Sequence, residues 1–285
     1  MKIPSFDGDY EFIRTIGEGS FGTIALVKDK KTKQEYCIKQ ILCNKDISII
    51  SFKKELESLT SIIHDNIIKI YKVQIQLSEF KKFCLNVSME VGIKDWNQEI
   101  ISRKKNQKYY TEKEIFTILK QLTSGFSFLQ KHNIAHRDIK PNNIILFPNN
   151  VYKIADLGEA KNIKNTIKHS RTLVGSELYM SPLLYKGLID CTDNIKHNPL
   201  KSDVFSLGYC FLYAMSLDIN ILRDIRRMTS NRTIGCIINK YLSNNKYSRE
   251  LMDIIYNMIA YKEDDRCDFL QLEEKLNKIV INNYN

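Results

Sequence analysis

The sequence predicts an α+β chain of two lobes: a small antiparallel β-sheet lobe with one main helix, then a larger, mainly α-helical lobe. Three observations lead there. The first ninety residues are mostly strand-like runs, alternating or apolar, separated by polar turns. From about Tyr110 the apolar residues recur at helical spacing instead. The change falls near Glu90–Ile93 with no flexible linker, so the lobes are expected at about 1–91 and 92–285 of a single domain.

The elements follow in order. YEFIRTIGEG, GTIALVKD, EYCIKQIL, NIIKIYKVQI and FCLNVSMEV read as strands. One helix interrupts them, because Phe52, Leu56, Leu59 and Ile63 fall four, three and four residues apart on a single stripe. Thr111 and Glu114 form a capping box ahead of Ile115, Ile118, Leu119, Leu122, Phe126 and Leu129, the buried face of a long helix. SDVFSLGYCFLYAM at 202–215 is apolar nearly all round, as a helix inside a lobe would be. Leu251, Ile254, Ile255, Met258 and Ile259 mark another helix.

Composition narrows the function classes. At 285 residues, with 43% hydrophobic and 27% charged, the chain has material for a sizeable core. No stretch approaches the ~20 apolar residues of a membrane helix. Met1–Phe12 lacks the apolar run of a signal peptide, and Lys2 directly after Met1 breaks the myristoylation pattern. Cys37, Cys43, Cys84, Cys191, Cys210, Cys236 and Cys267 are scattered and form no C-x-x-C pair, which predicts free thiols in a reducing compartment, cytoplasm or nucleus. The net charge of +10 raises nucleic-acid binding as an alternative. However, the densest basic run, KDKKTK at 28–33, lies between two strand-like segments and reads as a solvated turn, with no nucleic-acid motif beside it. Neither a nucleic-acid nor a membrane partner is expected, and the chain is expected to be a monomer.

Two short stretches carry the chemistry. Gly17-Glu18-Gly19-Ser20-Phe21-Gly22 ends one strand and opens the next, so its backbone N–H groups can lie close over phosphates. A dinucleotide fold would continue into a helix, but GTIALV is a strand. Lys39 follows in the apolar strand CIK, where it either snorkels from an edge or binds phosphate with a carboxylate anchor. Glu55 can supply that anchor; Glu57 is the competitor, about 200° round the helix. The second stretch, HNIAHRDIKPNNIIL at 132–146, sets His136, Arg137, Asp138, Lys140 and Asn143 ahead of an apolar strand, like a functional loop held by a scaffold.

With Asp156-Leu157-Gly158, Met180-Ser181-Pro182 and SDVFSLG at 202–208 in the same order, the chain resembles the eukaryotic protein kinases over nearly its whole length. The resemblance implies a bilobal protein-kinase fold and transfer of the γ-phosphoryl group of Mg-ATP to a protein substrate. Lys140, two residues after Asp138, and Ser176, where the class usually has threonine, resemble the serine/threonine type. By the same resemblance Ile16, Gly17, Glu18, Gly19, Ser20, Phe21, Gly22, Ile24, Cys37, Lys39, Met89, Glu90, Gly92 and Ile145 would bind ATP. Lys39 and Glu55 would hold its phosphates, Asp138 would be the catalytic base and Lys140 would neutralise the transferring group. Asn143 and Asp156 would hold Mg2+. Arg137, Lys161 and Thr172 would form a phosphorylation-controlled cluster, with Ser170 and Thr166 as rivals to Thr172.

Further expectations follow from the resemblance. Leu59, Ile70, His136 and Leu157 would stack as an apolar column, and Asp203 would anchor its base. Leu157, Cys37 and Phe205 replace the usual Phe, Ala and Trp. Leu183 stands where the family has the glutamate that pairs with a buried arginine, so Arg266 is expected to find another acid. The positions that select arginine upstream of a phosphosite fall on Trp96 and Asn142, with Asp95 one residue away. An inactive scaffold of the same fold is disfavoured by the presence of Lys39, Asp138 and Asp156. A small-molecule kinase is disfavoured by the long segment from Asp156 to Pro182.

Overall fold

A computed structural model describes residues 9–19, 22–43, 53, 57, 59–77, 83–163, 175–192, 195–227, 231–243 and 247–279. The chain divides into two compact units, Met1–Ile93 and Lys94–Asn285.

The first unit is built on one antiparallel sheet of five strands, β1 (Tyr10–Gly19), β2 (Gly22–Asp29), β3 (Glu35–Cys43), β4 (Ile70–Leu77) and β5 (Phe83–Met89), in the order β1-β2-β3-β5-β4. Strand alternation sorts its faces. Ala25, Val27 and Ile38 pack on one side with Tyr10 and Tyr36. Ile24, Cys37 and Lys39 fall on the other, because Ile24 pairs with Lys39, and Cys37 with Met89 of β5. The basic run is a solvated turn, as expected: the Asp29 carboxylate accepts the backbone N–H groups of Lys31 and Thr32 at 2.8 and 2.7 Å. Lys53 and Glu57 are helical and pair at 3.0 Å. Phe52, Glu55 and Leu56 lie outside the described residues.

The expected apolar stripe overruns its helix. Leu59–Ser61 is a single 3-10 turn with Leu59 buried, but Ile63 is 77% exposed and Ile62 takes the buried place. The chain has already turned toward β4, where His64 Nδ1 accepts the Asn66 amide at 3.0 Å. A stripe drawn with a fixed helical period cannot register that exit.

In the second unit, α1 (Trp96–Lys105) and α2 (Glu112–Lys131) precede β7 (Ile134–Ala135). Thr111 caps α2: its hydroxyl accepts the Glu114 amide at 3.2 Å while Glu114 returns a carboxylate to the Thr111 amide at 2.7 Å. A three-stranded sheet of order β6-β8-β9 joins Lys94–Asp95, Ile144–Phe147 and Val151–Ile154, and β10 (Lys161–Asn162) pairs antiparallel with β7. Helices α3 (Pro182–Ile189), α4 (Pro199–Ser216), α5 (Asn220–Arg226), α6 (Asn231–Leu242), α7 (Arg249–Met258) and α8 (Phe269–Lys278) complete it. Every residue of α4 from Ser202 to Ser216 except Ser206 is buried, which accounts for its all-round apolar sequence. Helix α2 is tied to α8 by Phe126 stacked on Phe269 at 4.8 Å and by Ser127 Oγ donating to Phe269 O at 2.8 Å.

Candidate active site

The β8–β9 hairpin does most of the positioning in the second unit. Its turn uses Asn149 and Asn150 at φ 61° and 57°, left-handed positions that asparagine tolerates better than most residues. Ile144 pairs with Ile154, and the ladder continues as Ala155 N–H donating to Asn143 O at 2.8 Å. Asn143 and Asp156 are therefore brought to the same end of the hairpin, although they are thirteen positions apart in sequence.

The loop before β8 is clamped from beneath. Asp203, 3% exposed, accepts the amides of His136 at 2.7 Å and Arg137 at 2.9 Å, as expected of its anchoring place. Burial holds its carboxyl up at about 6, against the pull of those two amides and of the nearby His136 and Arg137. His136 Nε2 lies 2.9 Å from Ala155 O, and Nδ1 accepts the Asp138 amide at 3.3 Å, so the ring serves as the Nε2–H tautomer. Arg137 sits at φ 71°, and its carbonyl faces Gly175.

Asp138 is surrounded by donors. Lys140 Nζ donates to Oδ2 at 2.8 Å and Asn143 Nδ2 at 3.1 Å, while the amide and hydroxyl of Ser176 both reach Oδ1 at 2.8 Å. Lys140 Nζ also donates to Ser176 Oγ at 2.8 Å. Burial alone would raise the Asp138 pKa, but the Lys140 ammonium and the Ser176 hydroxyl together hold it below the usual carboxylate range. The carboxylate is ionised at neutral pH and fixed in orientation. Nothing in the local sequence predicts that Ser176, thirty-eight residues on, closes onto Asp138. Gly175 lets it do so: its φ is +115°, and a Cβ there would stand 2.7 Å from Arg137 O.

Asn143 spends its side-chain N–H groups on Asp138 O at 2.8 Å and Oδ2, which leaves its Oδ1 as a free oxygen ligand. Asp156, left-handed at φ 57°, adds a carboxylate at the same hairpin end. Among the described residues no cluster of three His, Cys, Asp or Glu side chains could enclose a metal. A set of only two hard oxygen donors fits Mg2+, which keeps waters and is shared with phosphates, better than a fully caged ion.

In the first unit the pairing sets Gly17 opposite Ile24, Ile24 opposite Lys39, and Lys39 opposite Val87, while Leu26, Cys37 and Met89 make the neighbouring row. Ile16, Glu18 and Gly19 lie on the same β1, with Gly19 paired to Gly22; Ser20 and Phe21 lie outside the described residues. Burial raises the Cys37 thiol to about 11, as befits an apolar filler. Glu90 bonds back to Lys69 through its amide at 3.2 Å and its carboxylate at 2.8 Å, with Gly92 following. Glu57, the competitor for Lys39, is instead exposed and paired with Lys53. In the second unit Ile145 is the half-buried member of an otherwise buried β8. Lys161 pairs with Ala135, two residues before Arg137, and Thr172, Ser170 and Thr166 lie outside the described residues. Leu59 and Ile70 are buried in the first unit, His136 and Leu157 in the second.

Two expectations are corrected. Trp96 does not face a substrate: it is fully buried, donates Nε1–H to Tyr110 Oη at 3.1 Å and packs on Phe211 and Tyr152. Asp95, the residue before it, caps α1 by accepting the Gln98 amide at 2.8 Å. Arg266 finds no acid in ion-pair distance among the described residues. It donates instead to Ala260 O at 2.9 Å, Lys201 O at 2.9 Å and Tyr261 O at 3.5 Å, and lies over the Phe205 ring at 5.3 Å. Burial pulls its pKa down to about 10, opposed by the charges of Glu263 and Asp264. Carbonyl oxygens and an aromatic face satisfy a guanidinium without a counter-ion.

The chain is 31% identical over 219 residues to calcium-dependent protein kinase 4 of Plasmodium berghei, covering 74% of this chain and 38% of that protein. It is 29% identical over 275 residues to the probable serine/threonine-protein kinase nek3 of Dictyostelium discoideum, covering 90% and 22%. With the mouse serine/threonine-protein kinase Nek4 the figures are 27% over 263 residues, covering 90% and 31%. The chain thus spans well under half the length of these relatives. The protein kinase domain model matches residues 10–276, nearly the whole chain, and the chain belongs to the protein kinase domain family.

Proposed function

We propose that the chain is an ATP-dependent serine/threonine protein kinase that moves the γ-phosphoryl group of Mg-ATP onto protein hydroxyls. The observation that carries this reading is the Asp138 carboxylate, ionised and held by Lys140, Asn143 and Ser176. Phosphoryl transfer asks little covalent chemistry of a protein and much positioning. Asp138 orients the attacking hydroxyl and accepts its proton late, as befits a carboxylate below the usual range. Lys140 sets a positive charge beside it for the developing phosphoryl charge. Asn143 and Asp156 would hold Mg2+, which would supply positive charge against the phosphates. In the first unit Lys39 would bind phosphate with Glu55 as its anchor, beneath the Gly17–Gly22 loop. The similarity to serine/threonine-protein kinases supports the hydroxyl class. Thr172 is the proposed activating phosphosite, with Arg137 and Lys161 as cations to receive the phosphate. For a setting, a reducing compartment fits Cys37, Cys84, Cys191, Cys210, Cys236 and Cys267, all free thiols.

The test is ATP turnover on a degenerate Ser/Thr peptide library. Asp138→Asn and Lys39→Met are each expected to lower turnover by at least about a hundredfold with the fold nearly intact by circular dichroism, since each removes charge and little packing. Near wild-type turnover by Asp138→Asn would sink the assignment.

A further inference from the structure

Arg226, at the end of α5, is a half-buried cation with an unfilled donor. Its Nη2 donates to Leu178 O at 2.6 Å and Met180 O at 3.0 Å, and the guanidinium stacks over Tyr185 at 4.2 Å. Nε is buried without a hydrogen-bond partner, and no carboxylate stands in ion-pair distance among the described residues. Burial lowers its pKa; Glu177 is near enough to oppose that but does not pair. Unlike Arg266, whose Nε donates to a carbonyl, the half-buried Arg226 keeps a buried Nε with no partner, and an unmet buried donor is costly. It borders a cavity of about 240 Å3 whose walls include Tyr185, Ile189, Phe205, Tyr209 and Ile225. Ile189 at its mouth is 62% exposed, and Lys186 adds a second cation to the lining.

The volume decides between kinds of occupant. Ligand pockets for whole small molecules run to about 300–1,000 Å3, whereas an apolar void of about 150 Å3 already admits benzene. This cavity suits one bulky side chain with room for its neighbours. The lining then asks for apolar or aromatic character inside and negative charge at the mouth.

We propose that the α3–α4–α5 cavity is a docking site for an acidic segment of a protein substrate, one bulky apolar side chain filling it and a flanking carboxylate meeting Arg226 and Lys186. Bound there, the segment supplies the counter-ion that the fold omits. Arg226 also holds the carbonyls of Leu178 and Met180, two and four residues from Ser176, so docking acts on the strip of chain that closes onto Asp138. That the partner is a substrate rests on the kinase reading; the acidic, apolar chemistry of the site does not.

Fluorescence anisotropy of a labelled acidic peptide with one central phenylalanine, titrated with the full chain, tests it without ATP. Saturable binding is expected, weakened at least tenfold by Phe→Ala in the peptide and by Ile189→Glu or Arg226→Gln in the protein. Ile189→Glu changes an exposed residue, and a thermal melt confirms that it folds. Absent saturation, or equal affinity across these variants, overturns the proposal. So does a concentration-dependent dimer, or adsorption to phosphatidylserine vesicles, that Ile189→Glu abolishes, since the cavity then serves another occupant. Binding without turnover on any peptide would strike the kinase reading alone, and turnover without binding would strike this one alone.

Discussion

Gly17 and Gly22 bracket the same turn yet answer to different constraints. A Cβ on Gly17 would meet nothing within 4 Å, whereas one on Gly22, at φ +131°, would stand 1.8 Å from Gln40 O. Gly22→Ala is therefore expected to destabilise the fold by roughly 2 kcal/mol or more, read by denaturant titration. Gly17→Ala should leave stability within about 0.5 kcal/mol but raise the KM for ATP, because only a ligand close over the backbone needs that space. An unchanged KM would remove Gly17 from the proposed ATP site. Asp203 permits a pH prediction. Its carboxyl, at about 6 folded against 3.8 unfolded, keeps a proton in the folded chain that the unfolded chain has already lost between those values. The stability of the wild type relative to Asp203→Asn should thus fall as pH rises from about 4 to 6.5, by on the order of 3 kcal/mol. Asp138 has the opposite sign: its contribution is present at neutral pH and lost as pH falls below the carboxylate range. A flat difference between wild type and Asp203→Asn would show that burial does not hold that proton.

At the scale of elements, the segment from Gly175 to Met180 is positioned by contacts from afar: Ser176 on Asp138, Ser206 on Tyr179 O and Arg226 on the carbonyls of Leu178 and Met180. Gly175→Ala forces a Cβ against Arg137 O and strains a positive φ, so Ser176 should be pushed off Asp138. Turnover is expected to drop at least tenfold while the melting temperature moves only a few degrees; full turnover would free Ser176 of any positioning role. That contact could not be read from the sequence, because a loop closing over thirty-eight residues leaves no local period. Long periodic elements were legible: the capping box at Thr111 and Glu114 and the largely apolar α4 formed where pattern put them. Two-residue strands such as β7 and β10 have no periodicity to read. Trp96 could not be placed from the sequence, since at the first position of a short helix each step of one residue turns the side chain by about 100°. Arg266 misled for another reason: charge counting looks for carboxylates, and its partners are carbonyls.

For the whole molecule, the order of the motifs was enough to identify the family, while substrate choice depends on charge that no motif records. Lysines and arginines number 43 against 33 acids, for a net charge of +10, which surrounds the chain with a positive field. The two places expected to select arginine do not carry a free acid. Trp96 is buried, Asn142 is neutral and exposed, and Asp95, half-buried, spends its carboxylate on the Gln98 amide. Basic substrates therefore meet repulsion at long range without a local reward, and acidic ones gain at long range. Peptides with acidic flanks should show kcat/KM several-fold above basic ones at low salt. The advantage should shrink as ionic strength rises from about 0.05 to 0.5 M, because the screening length falls to a few ångströms. The gain should sit in KM, with kcat nearly constant, since attraction at a distance does not touch the Asp138 geometry. A library dominated by arginine three residues upstream of the phosphosite, or a preference indifferent to salt, would show that local contacts outside this field set the choice.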